Sequence, residues 1–441
     1  MPNMSRRNAL KGMSAAAASA ATLSAASYLR AADANNKVRV AVLGVGGRGG
    51  GHLSAYRALE PDGVEVAYIC DPDESRRAKA LMAFPKAQGV ADLRKVLDDK
   101  TIDAVSIATP DHWHAPAAIL ACAAGKHVYV EKPCCHNYRE GQLLVQAARK
   151  YDRVVQHGTQ QRSTPATANV IQMLREGVIG KVLVAKAWNV QRRANIGHEQ
   201  PSDPPAGVDY DLWVGPAEMV PFQKNRFHYS WHWWYNFGTG DLGNDGCHDL
   251  DYALWGLDIN TLPNRVSALG GKYYFDDDQQ YPDTQTAVIE YDGDGQVGNR
   301  KQLIFELRIW STSYPFNTDS GVEFFGTHGR LFYSKRGKME LWDEANKRVP
   351  DPMPKEPAQL KATEHFADFI DAIRQERRPQ ADIEIGFRSI AACCLANTST
   401  RLGRSLEFDP QKESIVGDDE ANRMLKRQYR AGGHWAIPEG V

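Results

Sequence analysis

Between Lys37 and Ser163 a glycine-rich run, a carboxylate and a Glu-Lys-Pro tripeptide recur at spacings that few folds other than a dinucleotide-binding α/β sheet can use. The segment KVRVAVLGVGGRGG carries an apolar strand, Val38 to Leu43, straight into Gly44-Val45-Gly46-Gly47-Arg48-Gly49, and the helical pattern HLSAYRAL follows. Gly44 allows the tight turn, Gly46 and Gly47 let backbone N–H groups approach a pyrophosphate, and Gly49 lets the helix pack on the strand. The helix N-terminus then faces the anion.

A second apolar run, VEVAYIC, ends at Asp71, about twenty residues beyond the last glycine, where a carboxylate accepts hydrogen bonds from a ribose diol. That favours NAD. Arg48, Arg76 and Arg77 leave NADP open if Asp71 turns away, and a role for Asp71 confined to starting the turn DPDE is the plainer alternative.

The next unit repeats the pattern, with strand IDAVSIAT, turn and helix PDHWHAPAAILACAAG, and strand KHVYVEKP. Alternating strands and helices of this length predict a doubly wound parallel sheet, whose ligands sit beyond the carboxyl ends of the strands. Thr109, Pro110, His114, Glu131 and Lys132 fall at that lip. Lys132 is either a solvated strand-end charge or a group that hydrogen-bonds a substrate hydroxyl beside the nicotinamide, and its place between Glu131 and Pro133 favours the second.

The motifs AVLGVGGRG, TPDHWH, AGKHVYVEKP, HGTQQR at 157–162 and GDLGNDGCHDLDYALWGL at 240–257 together resemble the Gfo/Idh/MocA family of sugar-active, nicotinamide-dependent oxidoreductases. The resemblance covers nearly all of the chain beyond residue 34. It implies α/β architecture: a Rossmann domain over 35–160, then a C-terminal α+β domain over 161–441. That second domain is built on an open, mostly antiparallel sheet that covers the nicotinamide and often forms a dimer or tetramer contact. It also implies an enzyme moving hydride between a ring hydroxyl and NAD or NADP, with Gln160 and Arg162 expected at the substrate.

In the second domain the run GTGDLGNDGCHDLDYALWGLD reads as a turn and then a helix from about Asp245 to Trp255. The family pattern has Asp and, four residues on, His. His248 matches the histidine, but Asn244 occupies the aspartate position. An amide orients a substrate or an imidazole, whereas a carboxylate would raise the imidazole pKa and share its proton. Asp245 would point about 100° away on an ideal helix and is a poor stand-in. Proton removal then falls to His248, or to Lys132 if desolvation lowers its pKa. A core role for His248 is the structural alternative, and Asp251 either holds His248 or bonds backbone.

Residues 196–238 form a long irregular stretch rich in Pro and aromatics, and loops of that length are usually functional. Trp231, His232 and Trp234 within it are candidate sugar contacts or a hydrophobic plug. Beyond residue 260, alternating strands suit antiparallel hairpins, two late helices pack back on the body, and the tail from Asp418 to Val441 is expected to embrace a neighbouring subunit.

A formal net charge of −1 gives no basic field for nucleic acid and suits a neutral sugar. Ser5-Arg6-Arg7 ahead of an alanine-rich run resembles a twin-arginine export signal over 1–34, too weakly apolar for a membrane span, and implies periplasmic or extracytoplasmic residence with the nucleotide tightly held. The seven cysteines show no zinc spacing, and no metal is expected. Two other functions stay open: a redox-neutral, NAD-dependent glycoside hydrolase or lyase working through a transient keto-sugar, and a non-catalytic sugar-binding protein.

Overall fold

A computed structural model describes residues 37–350, 362–431 and 437. The export segment expected over 1–34 and most of the chain beyond residue 431 lie outside the described residues.

The first sheet contains β1 (Val38–Leu43), β2 (Val64–Cys70), β3 (Gln88–Val90), β4 (Ala104–Ile107), β5 (His127–Val130) and β6 (Val155–His157). All pairs are parallel, in the order β3-β2-β1-β4-β5-β6, which is the Rossmann order. The central strands are buried on both faces, as their Val and Ile content requires. The strand order reverses at β1, so the crevice beyond the carboxyl ends of β1 and β4 is the ligand site this topology offers.

The second sheet holds β7 (Val182–Asn189), β8 (Arg265–Gly271), β9 (Thr284–Tyr291), β10 (Lys301–Arg308), β11 (Ser320–Gly326), β12 (Gly329–Tyr333), β13 (Met339–Asp343), β14 (Arg348–Val349), β15 (Leu406–Asp409) and β16 (Ser414–Ile415). Its order is β14-β13-β12-β11-β7-β10-β9-β8-β15-β16, antiparallel except for the parallel β7–β10 pair. Strands β9 and β10 alternate buried positions with less buried ones, as expected of a sheet covered on one face.

The helix Cys247–Gly256 packs on β7 and β11, and the helix Ile383–Leu402 packs on β8 and on the Rossmann helix Tyr138–Lys150. The late helix Ala362–Arg374 returns to the first domain, where Phe366 stacks on Tyr129 with ring centroids 4.4 Å apart. The two domains are therefore locked by the end of the chain rather than joined by a flexible linker.

Residues 418–431 fold onto their own chain: Arg427 Nε donates to Glu140 at 2.8 Å and the Arg430 amide to Pro216 O at 3.2 Å. No helix among the described residues is long and apolar enough to cross a membrane.

Candidate active site

Strand β1 delivers Gly44 at a φ of +78°, with Ala108 O only 2.7 Å from where a Cβ would stand. The helix Gly47–Ala58 begins inside the glycine run, without a side-chain cap and without an acidic residue in its first turn. Its positive end faces a cavity of about 290 Å³. A Cβ on Gly49 would lie 1.9 Å from Gly44 O, so only glycine lets this helix close on the turn. A Cβ on Gly47 would meet nothing within 4 Å; Gly47 lines the open cradle.

Asp71 is buried at the same cavity, each carboxylate oxygen accepting one backbone N–H, from Val45 and Asp73, both at 2.9 Å. Burial raises its pKa, against those hydrogen bonds. The two readings of Asp71 thus coexist, since it builds the turn and keeps lone pairs toward the cavity. Arg76 lies over Gly46. Thr109 and Pro110 line the cavity, and the Thr109 hydroxyl is buried there without a partner. An uncapped helix start, an open glycine, a free hydroxyl and an edge carboxylate fit a dinucleotide.

Glu131 is fully enclosed. Its Oε1 accepts from Arg48 Nε at 2.7 Å, His52 Nε2 at 3.1 Å and Gln160 Nε2 at 3.1 Å, and its Oε2 from the Lys132 amide at 3.2 Å. Burial opposes its ionisation, but Arg48, His52 and Lys132 outweigh burial and hold it well below the usual carboxylate range. Because an ionised carboxylate only accepts, His52 donates through Nε2 and takes the Ser106 hydroxyl proton at Nδ1, 2.8 Å away. Glu131 is thereby the anchor tying the glycine loop, through Arg48, to the strand end that carries Lys132. His114 lies between Thr109 O at 2.7 Å and Pro133 O at 2.6 Å, and braces the ends of β4 and β5.

Lys132 Nζ donates to Asn244 O at 2.5 Å and to Asn244 Oδ1 at 2.9 Å, and both residues line the cavity. Burial would lower its pKa, yet Asp245, Glu131 and Asp111 overcome burial and raise it. Lys132 is therefore an ammonium, which removes it as the proton acceptor considered above.

His248 stands one turn further along the helix, half-buried, with no hydrogen-bond partner among the described residues. Burial, with Lys335 and Lys132, holds it well below the ordinary imidazole range, so its ring is neutral. It is not part of the cavity wall but lies close enough to Lys132 and Asp245 to feel their charges.

Asp245 departs from the ideal-helix expectation. Residues Leu242–Gly246 form a π-helical turn, which changes the phase of the side chains entering Cys247–Gly256. Asp245 pairs with Arg193, itself bound to Asp241 at 2.8 Å. Against the cost of burial, Lys132, Lys335, Arg193 and His248 hold the Asp245 carboxyl far below its usual range. Asp245 thus turns to Arg193 rather than into the cavity wall, and reaches Lys132 and His248 only through its charge.

Other expected contacts lie elsewhere. Arg162 is committed to Asp251 through three hydrogen bonds of 2.9–3.1 Å, and Asp251 also accepts from Ser389, so Asp251 holds Arg162 and not His248. Gln160 is held by Tyr129 and Glu131, outside the cavity wall. Trp234 belongs to a separate core cluster with Trp213 and Phe237, its indole bonded to Asn225 O. Trp231 and His232 do line the cavity, stacked at 3.6 Å between centroids; burial pushes His232 down to about 3.

Three features escaped the sequence. Asp111, 1% exposed, lines the cavity and accepts from Thr239 at 2.7 Å; burial pushes it up to about 7. Arg193 and Lys335 arrive from the loops after β7 and β12, with no local motif. The stretch 207–232 forms a strap over the dinucleotide crevice: Glu74 N donates to Gly207 O at 2.9 Å, Asp209 N to Pro72 O at 3.1 Å, and His228 meets Asp73 at 2.9 Å. Leu212, Trp213 and Tyr229 from this strap wall the cavity. Among the described residues no group of three or more His, Cys, Asp or Glu is placed to hold a metal, and all seven cysteines are unpaired.

Sequence comparison matches residues 38–159 to the Gfo/Idh/MocA oxidoreductase family's NAD-binding Rossmann fold, and residues 174–297 and 314–437 to that family's C-terminal alpha/beta domain. The chain is 32% identical over 224 residues to levoglucosan dehydrogenase of Pseudarthrobacter phenanthrenivorans, 49% of this chain and 50% of that one. It is 34% identical over 159 residues to a glycosyl hydrolase family 109 protein of Shewanella pealeana, 34% of each. The matches span half or less of these relatives' lengths. A solved structure of levoglucosan dehydrogenase in complex with NADH superposes with a TM-score of 0.64 at 20% identity, over 84% of this chain and 99% of that one.

Proposed function

The chain belongs to the Gfo/Idh/MocA oxidoreductase family, an NAD-binding Rossmann domain joined to a C-terminal α/β domain, and on that premise we propose that it moves hydride between a ring secondary hydroxyl of a sugar, polyol or glycoside and NAD. The observation that carries this is the Lys132–Asn244 contact at the wall of the dinucleotide cavity, with neutral His248 beside it. NAD, when bound, supplies the hydride acceptor; Gly46, Gly47, Arg48 and Asp71 would hold it.

Neutral His248 accepts the hydroxyl proton. The Lys132 ammonium donates to the same oxygen and stabilises the charge that develops there, and Asn244 fixes the direction of the Lys132 N–H groups. Asp245 keeps Lys132 charged. The strap, with Trp231 and His232, excludes water from the cavity.

The name of the levoglucosan dehydrogenase relative supports a sugar substrate. The glycosyl hydrolase family 109 relative supports the second reading, oxidation, elimination and re-reduction with no net redox change. Absorbance of the nicotinamide during addition of free sugars, polyols and aryl glycosides separates the two. Net reduction without aglycone release supports the dehydrogenase, aglycone release without net reduction the lyase or hydrolase, and neither a non-catalytic sugar-binding protein. We also propose export through the Ser5-Arg6-Arg7 segment, and self-association, which exposed Leu269, Tyr273 and Tyr274 at the end of β8 support. Periplasmic fractionation and sedimentation test these.

A further inference from the structure

A second cavity, of about 520 Å³, is lined partly by the strap and partly by residues 192–199. Tyr229 is common to both cavities. Arg193, another of its wall residues, is bound to Asp241 and Asp245 and so joins this groove to the Lys132 cluster. Its floor carries two buried polar groups without partners. Asn225, 7% exposed, donates its Nδ2 hydrogens to Gly197 O at 2.9 Å and Asp278 Oδ2 at 2.8 Å, which fixes the amide and leaves Oδ1 as an acceptor that nothing among the described residues meets. Trp233, 2% exposed, has an indole N–H in the same condition.

Buried polar groups in folded proteins are almost always paired, and an orphaned acceptor and an orphaned donor on two residues lining one groove call for a ligand that can both donate and accept. A hydroxyl donates and accepts; two neighbouring hydroxyls of a sugar satisfy both atoms. Tyr229, 54% exposed and edge-on to Trp233 at 5.7 Å, offers a flat face above them, and Arg192 at the rim has no partner among the described residues.

We infer that this groove is a subsite for a second sugar unit, so that the substrate is a glycoside whose reacting ring lies at Lys132 and whose neighbouring ring lies on Asn225, Tyr229 and Trp233. This rests on the hydride-transfer reading above and narrows its substrate class.

The test uses protein loaded with NADH, which accepts no second hydride, and saturation-transfer NMR. The probes are gluco-, galacto- and manno-configured methyl glycosides and disaccharides bearing each of those rings at the non-reducing end. Contact to both rings of a disaccharide is expected. Trp233→Phe, which keeps an aromatic ring but removes the N–H, is expected to raise the disaccharide-to-monosaccharide Kd ratio about fivefold to tenfold, the worth of one hydrogen bond. Saturation of one ring only, in a protein whose nicotinamide is reduced by the same sugars, overturns the subsite and leaves hydride transfer standing. No binding and no reduction with any sugar overturns both. The wild-type contact map decides the matter if Trp233→Phe does not fold.

Discussion

Replacing Glu131 by Gln tests whether this carboxylate is an internal anchor rather than a cofactor contact. Five donors meet it, from Arg48, His52, Gln160, the Tyr129 hydroxyl and the Lys132 amide, at 2.7–3.4 Å. An amide offers one oxygen and one NH2. With the oxygen toward Arg48, His52, Gln160 and Tyr129, the NH2 confronts the Lys132 N–H; reversed, it confronts three N–H donors and the Tyr129 hydroxyl. Either way at least one buried donor is orphaned, at about 1–3 kcal/mol, and the remaining bonds lose their charge assistance, about 1 kcal/mol more. The Arg48 side chain is 45% exposed, so solvent takes over its charge and it adds little. The expected loss is about 2–4 kcal/mol in urea unfolding. Arg48 also releases the glycine loop, so NAD affinity, read by quenching of protein fluorescence, weakens about threefold to tenfold. Unfolding within about 0.5 kcal/mol of wild type, with unchanged NAD affinity, would refute the anchor.

Lys132→Met should abolish sugar oxidation while NAD still binds; retention of a tenth of the rate would exclude Lys132 from the chemistry. Because His248 is neutral and its pKa lowered, kcat/KM for oxidation should fall only when pH drops below the ordinary histidine value near 6.5, and Asn244→Asp, which sets a carboxylate beside Lys132, should move that limb up by about one unit. A wild-type limb above 6.5 contradicts the assignment. For Asp111 the folded pKa is raised from 3.8 to about 7, so its neutral form stabilises the fold below pH 4 and that stability drains away as pH rises to 7. Asp111→Asn should flatten this slope, by about 4 kcal/mol at most, in thermal melts between pH 4 and 8; an unchanged slope would place the titration elsewhere. Gly49→Ala must part helix and turn by about 1.5 Å, from 1.9 Å to an ordinary 3.4 Å contact, so it should cost folding stability and NAD binding together.

The dinucleotide half was legible because its chemistry is local: Gly44 to Gly49 and Asp71 each act through backbone geometry that a short motif encodes. Lys132 and Asn244 were also found by motif, but their contact, 112 residues apart in the chain, is a product of domain packing. Asp245, a poor stand-in for the family aspartate on an ideal helix, turns to Arg193 instead of the cavity, and the π-turn Leu242–Gly246 that carries it leaves no periodic signal. Arg162 failed as a substrate contact for a different reason, since nothing in HGTQQR announces the buried Asp251 that engages it. The stretch 196–238 read correctly as long and irregular, yet its docking on Pro72 and Glu74 runs through backbone atoms that carry no sequence signature.

The proposed function requires hydride to pass from a sugar ring to bound nicotinamide with His248 and Lys132 at the reacting hydroxyl. The measurement that meets it most directly is the absorbance of the reduced nicotinamide on NAD-loaded protein as a carbon-deuterated sugar replaces its protiated form. Reduction by at least one sugar, slowed by deuterium and lost in His248→Ala and Lys132→Met, is the predicted result. A nicotinamide that stays oxidised with every sugar, polyol and glycoside, or a reduction indifferent to both substitutions, would contradict it.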